Sequence, residues 1–157
     1  MPLPEAHLAA MAVGGLVHRR RPWRFPGGSG TRTLLGLPLV LIGVGVIVSA
    51  VAQIGDDDVE RDDLLVTDGP YAWTRNPMYV GWALIHVGVG MASGSGWVLA
   101  AYPAAALAIH REILREERRL RRRFGRAFGV YADAVPRYLP VRSRSATGSA
   151  MVPRARA

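Results

Sequence analysis

The segment GPYAWTRNPMY, residues 69–79, sets several hydrogen-bonding side chains where a polar stretch gives way to an apolar one. Asn76 followed by Pro77 is typical of a helix start, since asparagine caps helices and proline fits their first turn. A helix start requires none of the other polar side chains, although tyrosine and tryptophan also anchor proteins at membrane interfaces. The alternative is a ligand pocket in which aromatic faces and a guanidinium hold a flat, charged molecule. The side chains concerned are Tyr71, Trp73, Arg75 and Tyr79.

A second group of reactive side chains lies in HREILREERRL, residues 110–120. His110 stands near the end of an apolar run, and Glu116 and Glu117 follow about two helical turns later. Buried carboxylates in such a basic segment could bind a cation or a ribose, or steer a proton. The alternative is that both glutamates only offset neighbouring arginines along one helix. The residues by themselves favour that alternative.

The composition separates charge from apolarity. Half of the residues are hydrophobic and mean hydropathy is +0.13, although the formal net charge is +8. The absence of Cys excludes disulfides, thiolate metal sites and a cysteine nucleophile, and we expect no metal. Arginine-rich chains can bind nucleic acid, but apolar helices beside the basic run argue against a nucleic-acid partner here.

The elements that must position these residues are apolar helices. Residues 33–55 carry no charged side chain over 23 positions, and a membrane-spanning helix needs about 20 mostly apolar residues. A buried helix of a soluble protein rarely lacks a polar face over this length. Residues 33–55 are therefore predicted to span a membrane.

Residues 77–110 are predicted to form a helical hairpin. The SGSG sequence at 93–96 indicates a tight turn between two apolar arms, and Pro103 is expected to kink the second arm. Small residues on the two arms would let their backbones approach closely. These residues are Gly81, Gly88 and Gly90 on the first arm, and Ala100, Ala104 and Ala108 on the second.

The remaining segments complete a single domain over residues 1–140. Residues 6–18 are too few to span a bilayer, so they form either a shortened first helix or a segment at the interface. Residues 111–132 combine an apolar helical face with arginines, which predicts an amphipathic C-terminal helix that lies on anionic headgroups or docks on the domain. Residues 141–157 are expected to be disordered. The predicted fold is an all-α integral membrane helical bundle with a hairpin and a cytoplasmic amphipathic helix.

The hairpin returns the chain to the side it left, so the linker 56–75 and the tail after residue 110 share one membrane face. The positive-inside bias places that face in the cytoplasm, although five arginines between residues 19 and 32 oppose it. The acidic linker and the basic tail are expected to pair across a pocket.

Two separated motifs resemble those of the isoprenylcysteine carboxyl methyltransferase family and its bacterial relatives. The resemblance covers about residues 31–140. The first motif comprises Gly69, Pro70, Tyr71, Arg75, Asn76, Pro77, Tyr79 and Gly81. The second comprises Glu116, Glu117, Leu120, Phe124, Gly125, Tyr131, Val135, Pro136, Arg137 and Pro140.

The resemblance implies a bacterial inner-membrane methyltransferase that uses S-adenosylmethionine in a cytoplasmic pocket closed by the C-terminal segment. The implied methyl acceptor is lipophilic and enters from the lipid side. In this interpretation Arg75 and Asn76 hold the polar end of the cofactor. The implied cofactor-binding residues are Tyr71, Arg75, Asn76, Pro77, Tyr79, Glu116, Glu117 and Tyr131, and the implied catalytic residues are His110, Arg111 and Glu116.

The chain departs from the family pattern at two positions. Asn76 stands where the prenyl-protein enzymes carry His, and His110 or Arg111 stands where they carry Arg. The acceptor need not be a prenylated cysteine, and an isoprenoid acid or another lipid-like molecule would suit. Two alternatives stay open, an NADPH-dependent membrane reductase of the sterol type and a non-catalytic membrane scaffold.

Overall fold

A computed structural model describes residues 4–54 and 65–138. The described chain forms four α-helices and a short 3-10 turn, and its one β contact is an isolated bridge between Arg24 and Ser95. This confirms the predicted all-α fold. The helices are α1 (Glu5–Arg20), α2 (Ser29–Ile54), α3 (Pro77–Ser93) and α4 (Gly96–Ala134), with the 3-10 turn at Gly69–Ala72.

Helix α2 is the one described helix that is long and apolar enough to cross a membrane. Core helices of soluble proteins and signal sequences can match it in length and composition. However, only 17% of the most apolar 18-residue stretch of α2 is buried within the protein. Leu34, for example, is 73% exposed. An outward-facing apolar surface of this size is what a helix in contact with lipid requires. The structure therefore agrees with the expectation of a membrane bundle.

The glycines of α3 pack against α2, and not mainly against the other hairpin arm as the sequence suggested. Gly36 lies opposite Gly88, and Gly43 lies opposite Gly81. A Cβ atom on Gly43 would stand 2.6 Å from the Gly81 carbonyl oxygen, closer than real Cβ atoms come. The two glycines of each helix are seven residues apart, so they share a face, and the antiparallel backbones meet at both. Of the glycines expected to face the second arm, only Gly90 contacts it, at Leu99.

The predicted turn between the hairpin arms is confirmed. Gly94 ends α3 with φ of 65°, which glycine adopts without strain. Ser95 caps α4, its hydroxyl accepting from the Val98 N–H at 3.3 Å. The loop between α1 and α2 covers this turn, since the Gly96 N–H donates to the Trp23 carbonyl at 2.8 Å.

Helix α1 packs on the bundle through a buried histidine pair. His7 and His86 approach to 3.0 Å between their Nδ1 atoms, and His86 Nε2 lies 2.9 Å from the Val98 carbonyl. Because a carbonyl can only accept, Nε2 of His86 carries the proton. In an uncharged pair, Nδ1 of His86 then accepts from Nδ1–H of His7, which sets both tautomers.

The boundary expected between residues 110 and 111 does not exist. Helix α4 runs from Gly96 to Ala134 and leaves helical dihedral angles only at Gly125, where φ is 50° and ψ is −117°. The sequence predicted a kink at Pro103, but the backbone at Pro103 is helical. Residues 104–124 contain neither glycine nor proline, and Ala, Leu, Arg and Glu all favour helix. The change from apolar to charged side chains therefore changes the surroundings of the helix without ending it.

After Gly125 the chain packs against the linker. Phe128, Tyr131 and Val135 form a buried cluster with Leu65, and Leu120, Phe124 and Ala132 pack beside it. The apolar face predicted for the C-terminal helix is thus covered by protein at its second half. The acidic part of the linker and the tail 141–157 lie outside the described residues.

Candidate functional site

The first motif and the C-terminal segment are joined by backbone and side-chain hydrogen bonds. The Arg75 N–H donates to the Pro136 carbonyl at 2.9 Å. The Arg137 carbonyl accepts from the Thr74 hydroxyl and from the Asn76 side-chain amide, both at 3.0 Å. Two stretches some sixty residues apart in sequence therefore form one site at the end of the bundle opposite the hairpin turn.

Asn76 stands at the N-cap of α3 with Pro77 behind it, as predicted, but its side chain does not cap the helix. The side-chain amide of Asn76 donates to the Arg137 carbonyl instead, and the Asn76 backbone N–H donates to the Thr74 hydroxyl at 3.2 Å. Sequence reasoning missed Thr74, because a single threonine before a helix carries no signal beyond turn preference.

Glu117 is the centre of the charged part of the site. Arg137 donates to both carboxylate oxygens of Glu117, from Nε at 2.8 Å and from Nη2 at 2.7 Å. Arg75 Nη2 lies 3.3 Å from the same carboxylate, and the side chains of Arg75 and Glu117 are only 12% and 14% exposed. This charge cluster of Arg75, Glu117 and Arg137 carries a net charge of +1.

The protonation of the charge cluster follows from these contacts. Burial alone would raise the pKa of Glu117, but the hydrogen bond from Arg137 and the charges of Arg75 and Arg137 together lower it below its ordinary value. The hydrogen bond to Glu117 raises the pKa of Arg137 in turn. Arg75 Nε is buried and has no hydrogen-bond partner among the described residues. One cation in excess and one unused donor suit an anionic group such as a carboxylate.

Tyr131 is hydrogen-bonded to the backbone of Tyr71. The Tyr131 hydroxyl donates to the Tyr71 carbonyl at 2.7 Å. Burial raises the pKa of Tyr71 to about 12 and also raises the pKa of Tyr131, so both are neutral phenols at physiological pH. Tyr131 fastens the 3-10 turn to α4, a positioning task that the sequence did not reveal.

The structure separates the two glutamates that the sequence grouped. Glu116 is 47% exposed and forms an ion pair at 3.0 Å with Arg119 on its own helix, as the alternative interpretation expected. Successive helical residues differ by about 100° around the axis, so Glu116 points away from Arg75. Its electrostatic neighbour across the helix pair is Tyr79.

His110 joins the site through the C-terminal segment, whereas its neighbour Arg111 is exposed. His110 Nδ1 lies 2.6 Å from the Tyr138 hydroxyl, next to Arg137. Sequence reasoning assigned no role to Arg137 or Tyr138, although Arg137 belongs to a motif that carried the resemblance. Within residues 4–54 and 65–138, no three His, Asp or Glu side chains cluster in a way that could hold a metal ion.

Comparison with known proteins matches this chain to a family. The profile of the phospholipid methyltransferase family matches residues 31–127. Two curated relatives are protein-S-isoprenylcysteine O-methyltransferases. The Tribolium castaneum protein is 29% identical over 114 residues, which is 68% of this chain and 41% of the relative. The Xenopus laevis protein is 31% identical over 116 residues, which is 69% of this chain and 40% of the relative. The chain thus spans about two fifths of the length of these relatives, and no solved structure matches it.

Proposed function

From the premise that this chain belongs to the phospholipid methyltransferase family, we propose that it transfers a methyl group from S-adenosylmethionine to a lipophilic acceptor at the membrane interface. The acceptor nucleophile is a carboxylate or another group on an isoprenoid or lipid-like molecule. The two curated relatives, which are named for methyl transfer to isoprenylcysteine, support this reaction class.

The charge cluster carries the proposal. The amino-acid end of the cofactor presents a carboxylate and an ammonium group. The unpartnered Arg75 Nε is suited to the carboxylate, and the ionised Glu117 is suited to the ammonium. Asn76 and Pro77 lie next to the charge cluster, and the hydrogen bond between Tyr131 and Tyr71 stabilises the turn beside it.

Bound there, S-adenosylmethionine would supply a methyl group on a cationic sulfur, whose charge disappears on transfer. The residues of the chain then have two tasks, which are to align the acceptor with the methyl group and to exclude water from the contact. The C-terminal segment is suited to the second task, because Pro136 and Arg137 already cover residues 74–76. We assign the acceptor side to His110, Arg111, Tyr79 and Glu116.

The depth of the site suits an acceptor with an apolar tail. Helix α3 has 17 residues and so a length of about 26 Å, which is close to the thickness of a hydrocarbon core. The charge cluster at its N-terminus would then lie at headgroup depth. The positive-inside bias supports a cytoplasmic orientation, and a bacterial inner membrane is the proposed location.

Calorimetric titration of the purified chain in lipid nanodiscs tests the proposal. S-adenosylmethionine, its demethylated product and NADPH are each titrated into wild type and into Glu117→Gln, Glu116→Gln and Glu112→Gln. We expect the first two ligands to bind, with Glu117→Gln weakening them about 10- to 100-fold, the worth of one charge-assisted contact. Glu112 is an exposed glutamate paired with Arg115 on the same helix, so its variant is the matched control.

The outcomes separate the alternatives. Failure of both methyl-donor forms to bind the folded protein would contradict the proposal. Binding of NADPH would favour the reductase, and binding of none of the three would favour a scaffold. A larger loss in Glu116→Gln than in Glu117→Gln would move the cofactor to the other face of α4.

A further inference from the structure

His110 and Tyr138 form a polar pair that the charge cluster does not need. Their contact, 2.6 Å from Nδ1 to the hydroxyl oxygen, joins α4 to the end of the described C-terminal segment. His110 lies seven residues before Glu117 on α4, which is about two turns further toward the apolar part of the helix. The pair therefore stands on the lipid side of the charge cluster.

The direction of this hydrogen bond follows from the chemistry of the two groups. Burial raises the pKa of Tyr138, and Glu117 and Tyr102 add to the rise although Arg137 opposes it. The phenol is therefore neutral and keeps its proton. A neutral imidazole has one N–H donor and one bare nitrogen. Since a phenol O–H is more acidic than an imidazole N–H, the phenol is the stronger donor, and the favoured arrangement has O–H of Tyr138 donating to bare Nδ1.

We infer that Tyr138 is a positioning residue that holds His110 in the tautomer with its proton on Nε2. His110 then presents a hydrogen-bond donor to its surroundings, and not a base. On the proposed function, which this last step presupposes, Nε2–H binds a hydrogen-bond-accepting atom of the methyl acceptor and orients it. The proton stays on Nε2 throughout.

The same residues that hold the C-terminal segment in place also hold Tyr138. Arg137, directly before it, is tied through its carbonyl to Thr74 and Asn76 and through its guanidinium to Glu117. These bonds hold Tyr138 within reach of His110. Docking of the segment thus places Tyr138 on His110 at the same time as it covers residues 74–76.

Magnetic resonance of isotopically labelled histidine nitrogens tests the inference without any ligand. The full chain is studied in nanodiscs at about pH 8, where an ordinary imidazole is neutral, and His110→Gln identifies the signals of His110. We expect wild-type His110 to carry its proton on Nε2 alone. In Tyr138→Phe, which removes one oxygen atom, both tautomers should be populated. A proton on Nδ1 in the wild type, or an unchanged tautomer in Tyr138→Phe, would overturn the inference.

The buried histidine pair provides an internal control. His7 should carry its proton on Nδ1 and His86 on Nε2 in every variant, as their contacts require. Should Tyr138→Phe disturb those signals and so prove misfolded, the wild-type spectrum still decides the tautomer.

Affinity for S-adenosylmethionine should change less than about twofold in folded Tyr138→Phe, or by under about 0.4 kcal/mol. A loss beyond about tenfold would place Tyr138 on the cofactor and refute its action through His110. Absence of cofactor binding in the wild type would refute the proposed function and leave the tautomer result standing.

Discussion

A single carboxylate connects the two parts of the site at the residue scale. Glu117 receives two hydrogen bonds from Arg137 and faces Arg75, so the turn before α3, helix α4 and the C-terminal segment all depend on it. Removing the charge would leave the buried guanidinium of Arg75 and the partly exposed guanidinium of Arg137 without their anion. That arrangement is costly, because a buried charge depends on its partner.

The first prediction is that Glu117→Gln lowers the free energy of unfolding by about 1–3 kcal/mol at neutral pH. Glu112→Gln should cost less than about 0.5 kcal/mol, because exposed pairs on one helix contribute little. Thermal unfolding of both variants in nanodiscs is the measurement. Equal losses in the two variants would contradict the central place of Glu117.

The second prediction concerns pH. The pKa of Glu117 in the folded protein lies below its ordinary value, so its contribution to stability is complete above about pH 4.5 and is lost as pH falls below that. The wild-type unfolding midpoint should therefore drop between about pH 5 and about pH 3. Glu117→Gln should show a shallower drop over the same window, while Glu112→Gln should follow the wild type. Parallel curves for all three would show that Glu117 is not held ionised.

The resemblance to a family, and not the residues by themselves, grouped Arg75, Asn76 and Glu117, and the structure brings Arg75 and Glu117 into contact and joins Asn76 to Arg137. The sequence could not separate Glu116 from Glu117 as long as charge alone was considered. Helical spacing does not separate them either, because Glu116 and Glu117 both stand three or four residues from Ile113 and from Leu120. The bonds from Arg137 that select Glu117 come from a distant segment and are visible only in the structure.

At the scale of the elements, Gly125 allows the long helix to redirect its last turns. Its backbone angles suit glycine and strain other residues, while a Cβ there would meet nothing within 4 Å. Steric crowding therefore plays no part at this position, and the cost of a side chain comes from the backbone alone.

The third prediction is that Gly125→Ala destabilises the protein by about 1–3 kcal/mol and weakens cofactor binding, because the C-terminal segment docks less well. Gly129→Ala is the matched control. Gly129 also has open space around its Cβ position but lies within helical backbone, so alanine should stabilise by about 0.5–1 kcal/mol. Opposite signs in thermal unfolding are expected, and a neutral Gly125→Ala would rule out the role assigned to the break.

The fourth prediction concerns the glycine contacts between α2 and α3. Gly43→Ala should lower the free energy of unfolding by about 1–3 kcal/mol, because the two backbones must separate. Gly45→Ala lies on the same helix with no atom within 4 Å of its Cβ position, so it changes helix propensity equally without crowding. Thermal unfolding of both variants in nanodiscs measures the difference between their unfolding midpoints. Indistinguishable midpoints would mean that α2 and α3 do not pack closely in the membrane.

The helices themselves were predictable, since uncharged runs and a Gly-Ser turn determine them. Two features were not. The end assigned at residue 110 followed a change in polarity, which reports surroundings rather than backbone preference. The second hairpin arm was the wrong partner for Gly81 and Gly88, because any neighbouring helix with glycines in matching phase allows close approach, and α2 supplies them at Gly36 and Gly43.

At the scale of the whole molecule, different chain segments lie at the two ends of the bundle. One end carries the hairpin turn and the loop between α1 and α2, joined by Trp97 Nε1 donating to the Arg21 carbonyl at 2.8 Å. The other end carries the 3-10 turn and the C-terminal segment. The described part of the linker, residues 65–75, thus lies beside the C-terminal segment up to Tyr138, as the hairpin required.

The fifth prediction tests this topology by labelling. The chain has no Cys, so labelling of a single introduced cysteine shows from which side of the membrane that position is accessible. Gly28→Cys should react with an impermeant maleimide from one side of the membrane, and Ala72→Cys and Arg126→Cys from the other. In a bacterial host the proposed orientation exposes Gly28→Cys to the periplasm. Reaction of all three from one side would contradict the predicted membrane arrangement.

The unbroken stretch of α4 also has a mechanical consequence. From Val98, anchored by His86, to Glu117 the helix runs 19 residues, or about 29 Å, as a single rigid rod. Tilting that rod by about 10° around its anchored end would swing Glu117 by about 5 Å relative to α3, more than the length of its contact with Arg75. A bilayer that is too thin or too thick for the bundle changes helix tilt. The lipid environment would then act as a lever on the spacing of the charged side chains.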